Sequence, residues 1–172
     1  FNRKTWVSDP NQGLSAFSYN SFGEIEKETD ANGNIKRYDM DTLGRVVWRA
    51  AGSEHANFEW DKSDSYQKTG LLISESANGV SKSFRYDSYA RLTDTVLTID
   101  NQTYTSSTQY DSNYGRPLLM TYPNQLKVAY EYNEYGYLTK ESNAGSGYVY
   151  RHITEQDVWG NITKASMAES TS

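Results

Sequence analysis

The chain has 172 residues, enough for one domain with a core or for a row of small repeated units. Its 17 Lys and Arg against 22 Asp and Glu leave a net charge of −5, which argues against nucleic acid as the partner, because phosphate binding draws on concentrated positive charge. With no Cys, a disulfide scaffold, a thiol nucleophile and a cysteine-ligated zinc site are all excluded. The longest apolar runs, Leu71-Leu72-Ile73 and Leu118-Leu119-Met120, are far too short to span a bilayer. The chain opens at Phe1 without a basic-then-apolar leader, so it reads as a segment of something larger. Tyr alone supplies 15 residues while aliphatic side chains are sparse, a composition that suits pleated, half-buried strands and not disorder.

In chain order, a first strand is expected at Trp6-Val7-Ser8, followed by a spacer turn at Asp9-Pro10-Asn11-Gln12-Gly13-Leu14. A signature then recurs: aromatic, any residue, aromatic, Asp or Asn, and Gly three residues further on. It reads Phe17-Ser18-Tyr19-Asn20-Ser21-Phe22-Gly23, then Tyr38-Asp39-Met40-Asp41-Thr42-Leu43-Gly44 followed by Arg45. Phe58-Glu59-Trp60-Asp61 comes next with its glycine delayed to Gly70. Phe84-Arg85-Tyr86-Asp87-Ser88-Tyr89-Ala90 replaces the glycine by Ala and is followed by Arg91. Thr108-Gln109-Tyr110-Asp111 reaches Gly115 and Arg116 with one extra residue, and Tyr130-Glu131-Tyr132-Asn133-Glu134-Tyr135-Gly136 is a clean copy. The last, Thr154-Glu155-Gln156-Asp157-Val158-Trp159-Gly160, keeps Asp and Gly but not the aromatics. These seven copies fill residues 17–164, with Asp/Asn anchors 20 to 26 residues apart.

Each part of the signature has a physical role. Residues two apart in a strand share a face, so Phe17 and Tyr19, or Tyr130 and Tyr132, place two rings on one side. Asp or Asn bonds its own backbone two residues on and starts a turn, and Gly closes it at positive φ. A second strand follows each Gly, and Asn32-Gly33, Asn78-Gly79, Asp100-Asn101, Pro123-Asn124 and Ala144 to Gly147 punctuate the connections. One repeat is one hairpin, which predicts an all-β chain of about 14 strands in a sequential antiparallel meander, a single sheet segment over 1–172 with a frayed tail at 165–172. Tyr19, Asn20, Gly23, Tyr38, Asp41, Gly44, Arg45, Trp60, Asp61, Gly70, Tyr86, Asp87, Arg91, Tyr110, Asp111, Gly115, Arg116, Tyr132, Asn133, Gly136, Asp157 and Gly160 are the repeat-defining residues.

Tyr38 to Arg45, Arg85 to Leu92, Tyr110 to Arg116 and Tyr130 to Lys140 resemble the YD repeats of the Rhs family, of the B and C components of insecticidal toxin complexes, and of teneurins. The resemblance implies one long, curled sheet forming part of a hollow shell, in bacteria part of a secreted or surface-delivered protein. Its function would be to wall in a toxic C-terminal domain, with neighbouring repeats and that enclosed domain as partners and with no cofactor and no catalysis. The alternative it leaves open is a carbohydrate-binding or adhesive cell-surface module, in which rows of Tyr and Trp stack on sugar rings. Packing of the rings on one another as cross-strand pairs is the reading preferred for those aromatics. Asp9 to Leu14 faintly resembles the self-cleavage element of Rhs cores but has one residue too many and precedes every repeat, so neither a self-cleaving nor a toxin domain is expected.

No other constellation carries chemistry. His55, placed in a Gly-Ser-Glu-His-Ala turn, and His152, placed in a strand, fall in different repeats without metal-ligand spacing. Glu28-Thr29-Asp30-Ala31-Asn32-Gly33, with Asp39 at the twelfth position, has the alternation of a calcium loop but lacks the opening Asp, the closing Glu and the flanking helices, so a hairpin turn at Asn32-Gly33 is expected. Cutting a sheet at Trp6-Val7-Ser8 and at Asn161 to Lys164 exposes two edges, which predicts self-association through them.

Overall fold

The computed structural model describes residues 3–60 and 70–167, and among them there is no helix. Fifteen strands follow one another in space in their chain order: β1 Trp6–Asp9, β2 Gly13–Tyr19, β3 Ile25–Thr29, β4 Ile35–Met40, β5 Val46–Ala51, β6 Glu54–Trp60, β7 Leu72–Ala77, β8 Val80–Tyr86, β9 Leu92–Ile99, β10 Gln102–Tyr110, β11 Pro117–Thr121, β12 Lys127–Tyr132, β13 Leu138–Asn143, β14 Val149–Gln156 and β15 Ile162–Met167. They form one open antiparallel sheet. The count exceeds fourteen because Asp9 to Gly13 joins β1 to β2 as a hairpin of its own, in register from Trp6↔Ala16 to Asp9↔Gly13. At the other end β15 pairs with β14 as far as Arg151↔Met167, so residues 165–167, expected to fray, belong to a strand. Residues 168–172, and the Asp61 anchor of the third repeat, lie outside the described residues.

Packing divides the chain into two compact units, Phe1–Phe84 with Leu97–Thr103, and Arg85–Val96 with Tyr104–Ser172. In the first, Ala56 on β6 is the buried apolar residue and shares a face with Phe58 and Trp60. In the second, Val128 shares the face of Tyr130 and Tyr132 on β12, and Ile153 on β14 is buried as deeply. Period-two alternation is plain in β8, where Val80, Lys82, Phe84 and Tyr86 are half-buried and Ser81, Ser83 and Arg85 are exposed. Cross-strand ion pairs supplement so thin a core: Glu75–Lys82 at 3.3 Å in the first unit, and Glu131–Lys140 at 2.8 Å, Glu141–Arg151 at 3.0 Å and Glu155–Lys164 at 3.0 Å in the second.

A bulge accompanies the signature. Ser18↔Lys27 is followed by Tyr19↔Ile25, Asp39↔Trp48 by Met40↔Val46, and Glu59↔Ser74 by Trp60↔Leu72. In the second unit Gln109↔Leu119 gives way to Tyr110↔Pro117, Glu131↔Lys140 to Tyr132↔Leu138, and Glu155↔Lys164 to Gln156↔Ile162. One residue of the post-glycine strand is therefore left over beside the second aromatic position each time, which kinks that strand and tightens its local twist. His55 lies within β6, not in a turn, because Gly52 at φ 61° and Ser53 complete the reversal and Ala51 pairs with Glu54. His152 lies in β14, and both histidines are exposed.

Candidate functional site: the turn ladder

The repeat turns share one construction. The Asp41 main-chain N–H donates to the Arg45 carbonyl at 2.9 Å and the Gly44 N–H to the Asp41 carbonyl at 3.0 Å, while Asp41 Oδ1 accepts from the N–H groups of Leu43 and Arg45. Asn20, Asp87, Asn133 and Asp157 repeat the same bonds to the residues two and four further on. Asp111, with one residue more in its loop, accepts instead from Asn113 and Tyr114. Gly23, Gly44, Gly70, Gly115, Gly136 and Gly160 all sit at positive φ, between 71° and 96°. Ala90 is forced into the same region at φ 62°, where its Cβ crowds the carbonyl. The β3–β4 connection is a further copy: Asp30, not Asn32-Gly33 alone, organises it by accepting from Asn32 and Asn34. That carboxylate is held by its own turn, Glu28 accepts from the Tyr38 hydroxyl at 3.3 Å, and Asp39 faces Trp48 in the β4–β5 ladder. No group of three or more His, Asp or Glu positioned to hold a metal ion occurs among the described residues.

The Arg after the turn ties one repeat to the next. Arg45 Nε donates to Asp41 Oδ2 at 2.7 Å, Arg91 Nε to Asp87 Oδ2 at 2.7 Å, and Arg116 Nε to Asp111 Oδ2 at 2.9 Å. Fixed in this way, each guanidinium covers a ring of the following repeat: Arg45 over Trp60 at 5.3 Å, Arg91 over Tyr110 at 4.6 Å and Arg116 over Tyr132 at 4.6 Å. This differs from the expected ring-on-ring packing. Signature rings of successive repeats lie two strands apart, about 9.5 Å at ordinary strand spacing, too far to touch, and the intervening strand supplies the long cation that fills the gap. Among the described residues the ring pair in contact is Tyr148–Tyr150, edge-on at 5.5 Å.

The second signature position adds a bond backward. Tyr19 donates its hydroxyl to the Lys4 carbonyl at 2.7 Å, Trp60 Nε1 to Val46 O at 2.9 Å, Tyr110 to Leu92 O at 2.8 Å and Tyr132 to Pro117 O at 2.8 Å. Gln156, an apparent departure from the signature, does the same through Nε2 to Leu138 O at 3.2 Å. At these five positions the side chain delivers a donor, four times from a ring and once from an amide, whereas Met40, in the same place in the second repeat, has none to give.

The glycines have a second reason to be glycines. A Cβ on Gly44 would meet Glu24 Oε1 at 2.7 Å, on Gly115 Arg91 Nη1 at 2.7 Å, on Gly136 Arg116 Nη1 at 3.2 Å, and on Gly160 the ring of Tyr137. Each of these intruding side chains belongs to the residue just after the preceding repeat's turn glycine or its Ala90 substitute. Glu24 and Tyr137 thus stand in the place that Arg holds elsewhere, which the sequence pattern did not reveal.

Electrostatics follow this bonding. Its hydrogen bond from the Arg45 guanidinium holds the Asp41 carboxyl below the ordinary carboxylate range. At Asp87 desolvation pushes upward, but the main-chain N–H and guanidinium of Arg91 and the Tyr89 N–H outweigh it and the value is lowered. The Tyr114 N–H, then the Arg116 guanidinium, hold Asp111 well below that range. Burial, with Tyr122 and Glu141 nearby, pushes the Tyr130 phenol up to about 12. Asp41, Asp87 and Asp111 are neutralised by guanidiniums, Asp157 is held by the main chain and side-chain amide of Asn161, and the ladder's phenols, indole and Gln156 amide donate to main-chain carbonyls. What the arrangement provides chemically is cohesion between neighbouring repeats.

No protein-family model matches the sequence, and no curated protein matches it. Among solved structures, the crystal structure of TcdB2-TccC3-TEV matches 90% of this chain at 15% identity with a TM-score of 0.50. A structure of the Photorhabdus luminescens Tc holotoxin pore matches 90% of the chain at 15% identity with a TM-score of 0.47. In both, this chain spans 10% of the matched chain's length. The fold is an Rhs-like repeat fold.

Proposed function

We propose that the chain is a structural, non-catalytic stretch of wall in a secreted toxin-complex protein, one that encloses a toxic domain. The observation that carries this reading is the saturation of the repeat turns. Asp41, Asp87 and Asp111 are bonded to Arg45, Arg91 and Arg116, and those guanidiniums to rings of the next repeat, so the signature joins repeat to repeat. The fold shared with a TcdB2-TccC3 structure supports it, and in that reading 1–172 is one sheet segment whose partners are neighbouring repeats and the enclosed domain. The repeat-defining residues from Tyr19 to Gly160 then act as mortar. Electron cryomicroscopy of the complete gene product tests the idea. A hollow enclosure with this chain in its wall and a protease-protected domain inside is the expected result; a wall without a lumen, or a toxic domain outside it, refutes the idea.

The second reading, a carbohydrate-binding or adhesive module, is favoured by one observation: Phe22, Tyr89, Tyr114, Tyr135 and Trp159 are all at least 73% exposed at the turn tips. A glycan array separates the two, being blank for a wall and positive for an adhesin.

A further inference from the structure

The residue just before the turn glycine, or before Ala90, is a large aromatic or aliphatic side chain in each described turn of the signature copies, though the β3–β4 turn has Asn32 there. In the first unit these are Phe22 and Leu43. In the second they are Tyr89, Tyr114, Tyr135 and Trp159, exposed by 73%, 74%, 76% and 79%. Within that unit the connecting turns, which a meander places at the opposite ends of its strands, carry Pro123-Asn124-Gln125 and Ala144-Gly145-Ser146 at their tips. Beside those turns Tyr122 and Tyr148 are only 37% and 48% exposed, so the most exposed ring of each repeat stands at the repeat-turn end, a periodic row that suits a contact surface better than scattered surface apolarity does.

We propose that the Tyr89, Tyr114, Tyr135 and Trp159 row is a docking surface for the same row on a second copy of this chain. Three properties select that occupant. The first is spacing: successive repeat turns are two strands apart, about 9.5 Å, so a second comb shifted by one strand places ring between rings at about 4.8 Å, inside the range at which aromatic pairs attract. The second is area. Four such side chains, mostly exposed, offer on the order of 600 Å² per copy and about 1,200 Å² per pair, the size at which specific interfaces begin. The third is charge: Asp87–Arg91 and Asp111–Arg116 are internally paired at 2.7 Å and 2.9 Å, leaving Glu134 and Asp157 as the uncompensated charges of these tips, so two copies repel little. The teeth are also braced, since Arg91 lies 5.0 Å from the Tyr89 ring centre and Arg116 4.5 Å from that of Tyr114.

This inference does not depend on the wall reading, because two free chains dock through these rings or fail to, whatever a larger protein encloses. The experiment is sedimentation of the whole chain from micromolar to millimolar concentration, alongside a variant carrying Tyr89→Ser, Tyr114→Ser, Tyr135→Ser and Trp159→Ser. Circular dichroism checks that the β signal persists. A second variant, Tyr135→Arg with Trp159→Arg, sets like charges face to face and changes only exposed positions, so it serves if the fourfold variant does not fold. The wild-type chain is expected to associate and both variants to weaken association on the order of a hundredfold or more. A wild-type chain that stays monomeric overturns the proposal, and glycan binding by that monomer, lost in the variants, would assign the row to sugar instead. Equal association of wild type and folded variants also overturns it and transfers the contact to the β1 or β15 strand edge.

Discussion

Two glycines of the second unit separate what a left-handed turn costs from what the interlock between repeats costs. Gly147 at φ 76° and Gly160 at φ 84° have nearly the same backbone, but a Cβ on Gly147 meets nothing within 4 Å, whereas one on Gly160 falls against Tyr137, 2.6 Å from Cδ1 and 2.8 Å from Cζ. Gly147→Ala therefore incurs only the left-handed penalty of about 1–2 kcal/mol, reduced by roughly 0.5–1 kcal/mol because the unfolded chain is stiffened. Gly160→Ala carries the same balance and must also displace the half-buried ring of Tyr137, an overpacking loss of roughly 1–3 kcal/mol. Urea denaturation of the two variants should separate them by that second amount. In a Tyr137→Ser background the cost of Gly160→Ala should fall to the level of Gly147→Ala. Equal losses in the wild-type background, or a full cost surviving the removal of Tyr137, would show that the contact between repeats carries no energy.

Ala90→Gly should stabilise the chain by about 0.5–1 kcal/mol, since Ala90 sits at φ 62°; an unchanged or lower melting temperature would contradict this. Gln156→Leu should lose about 1 kcal/mol by stranding the Leu138 carbonyl, while Gln156→Tyr, which restores the donor used by Tyr110 and Tyr132, should be close to neutral in the same melt. Asp87→Asn keeps the turn acceptor but loses the ion pair and the hydrogen bond that Oδ2 accepts from Arg91 Nε, so its urea midpoint should lie between those of wild type and Asp87→Ala. The folded-state values of Asp41, Asp87 and Asp111 lie below the unfolded one, so their stabilisation is present above an unfolded value of about 3.9 and is lost as pH falls through and below it; urea midpoints between pH 6 and 3 should fall accordingly. Tyr130 has the opposite sign: its contribution is complete below the unfolded value of about 10 and disappears as pH rises toward about 12, which phenolate absorbance on unfolding should track.

How far this architecture can be read from sequence depends on whether a feature is local. Asp41, Gly44 and their equivalents act within five residues, so their spacing alone announces hairpins and their order in a meander. The bulge beside Tyr19, Tyr110 or Tyr132 leaves no such mark, because an extra residue in a strand of mixed polar and apolar side chains breaks no alternation that can be counted. The interlock of Glu24 with Gly44, or of Tyr137 with Gly160, joins residues 20 and 23 positions apart and of unlike chemistry. Only the shared place after a turn glycine reveals it. Gln156 departs from the signature in shape but makes the same hydrogen bond as Tyr110 and Tyr132, an equivalence that residue type alone does not display. The expectation of stacked rings failed for a geometric reason, since same-face rings of successive repeats are separated by a whole strand that had to be filled from elsewhere.

The strand order from β1 to β15 has a consequence for how such a sheet is made. Each strand finds its partner in the segment synthesised just before it, so no strand has to wait for a distant part of the chain. Contacts this close in sequence give the low contact order that speeds folding, and the sheet can lengthen at its C-terminal side as residues leave the ribosome. A side chain such as Arg91 or Arg116 is in place before the glycine that accommodates it has been synthesised. Growth is then templated in one direction, and tension applied at the last strand would undo the sheet one hairpin at a time, in reverse order of its making.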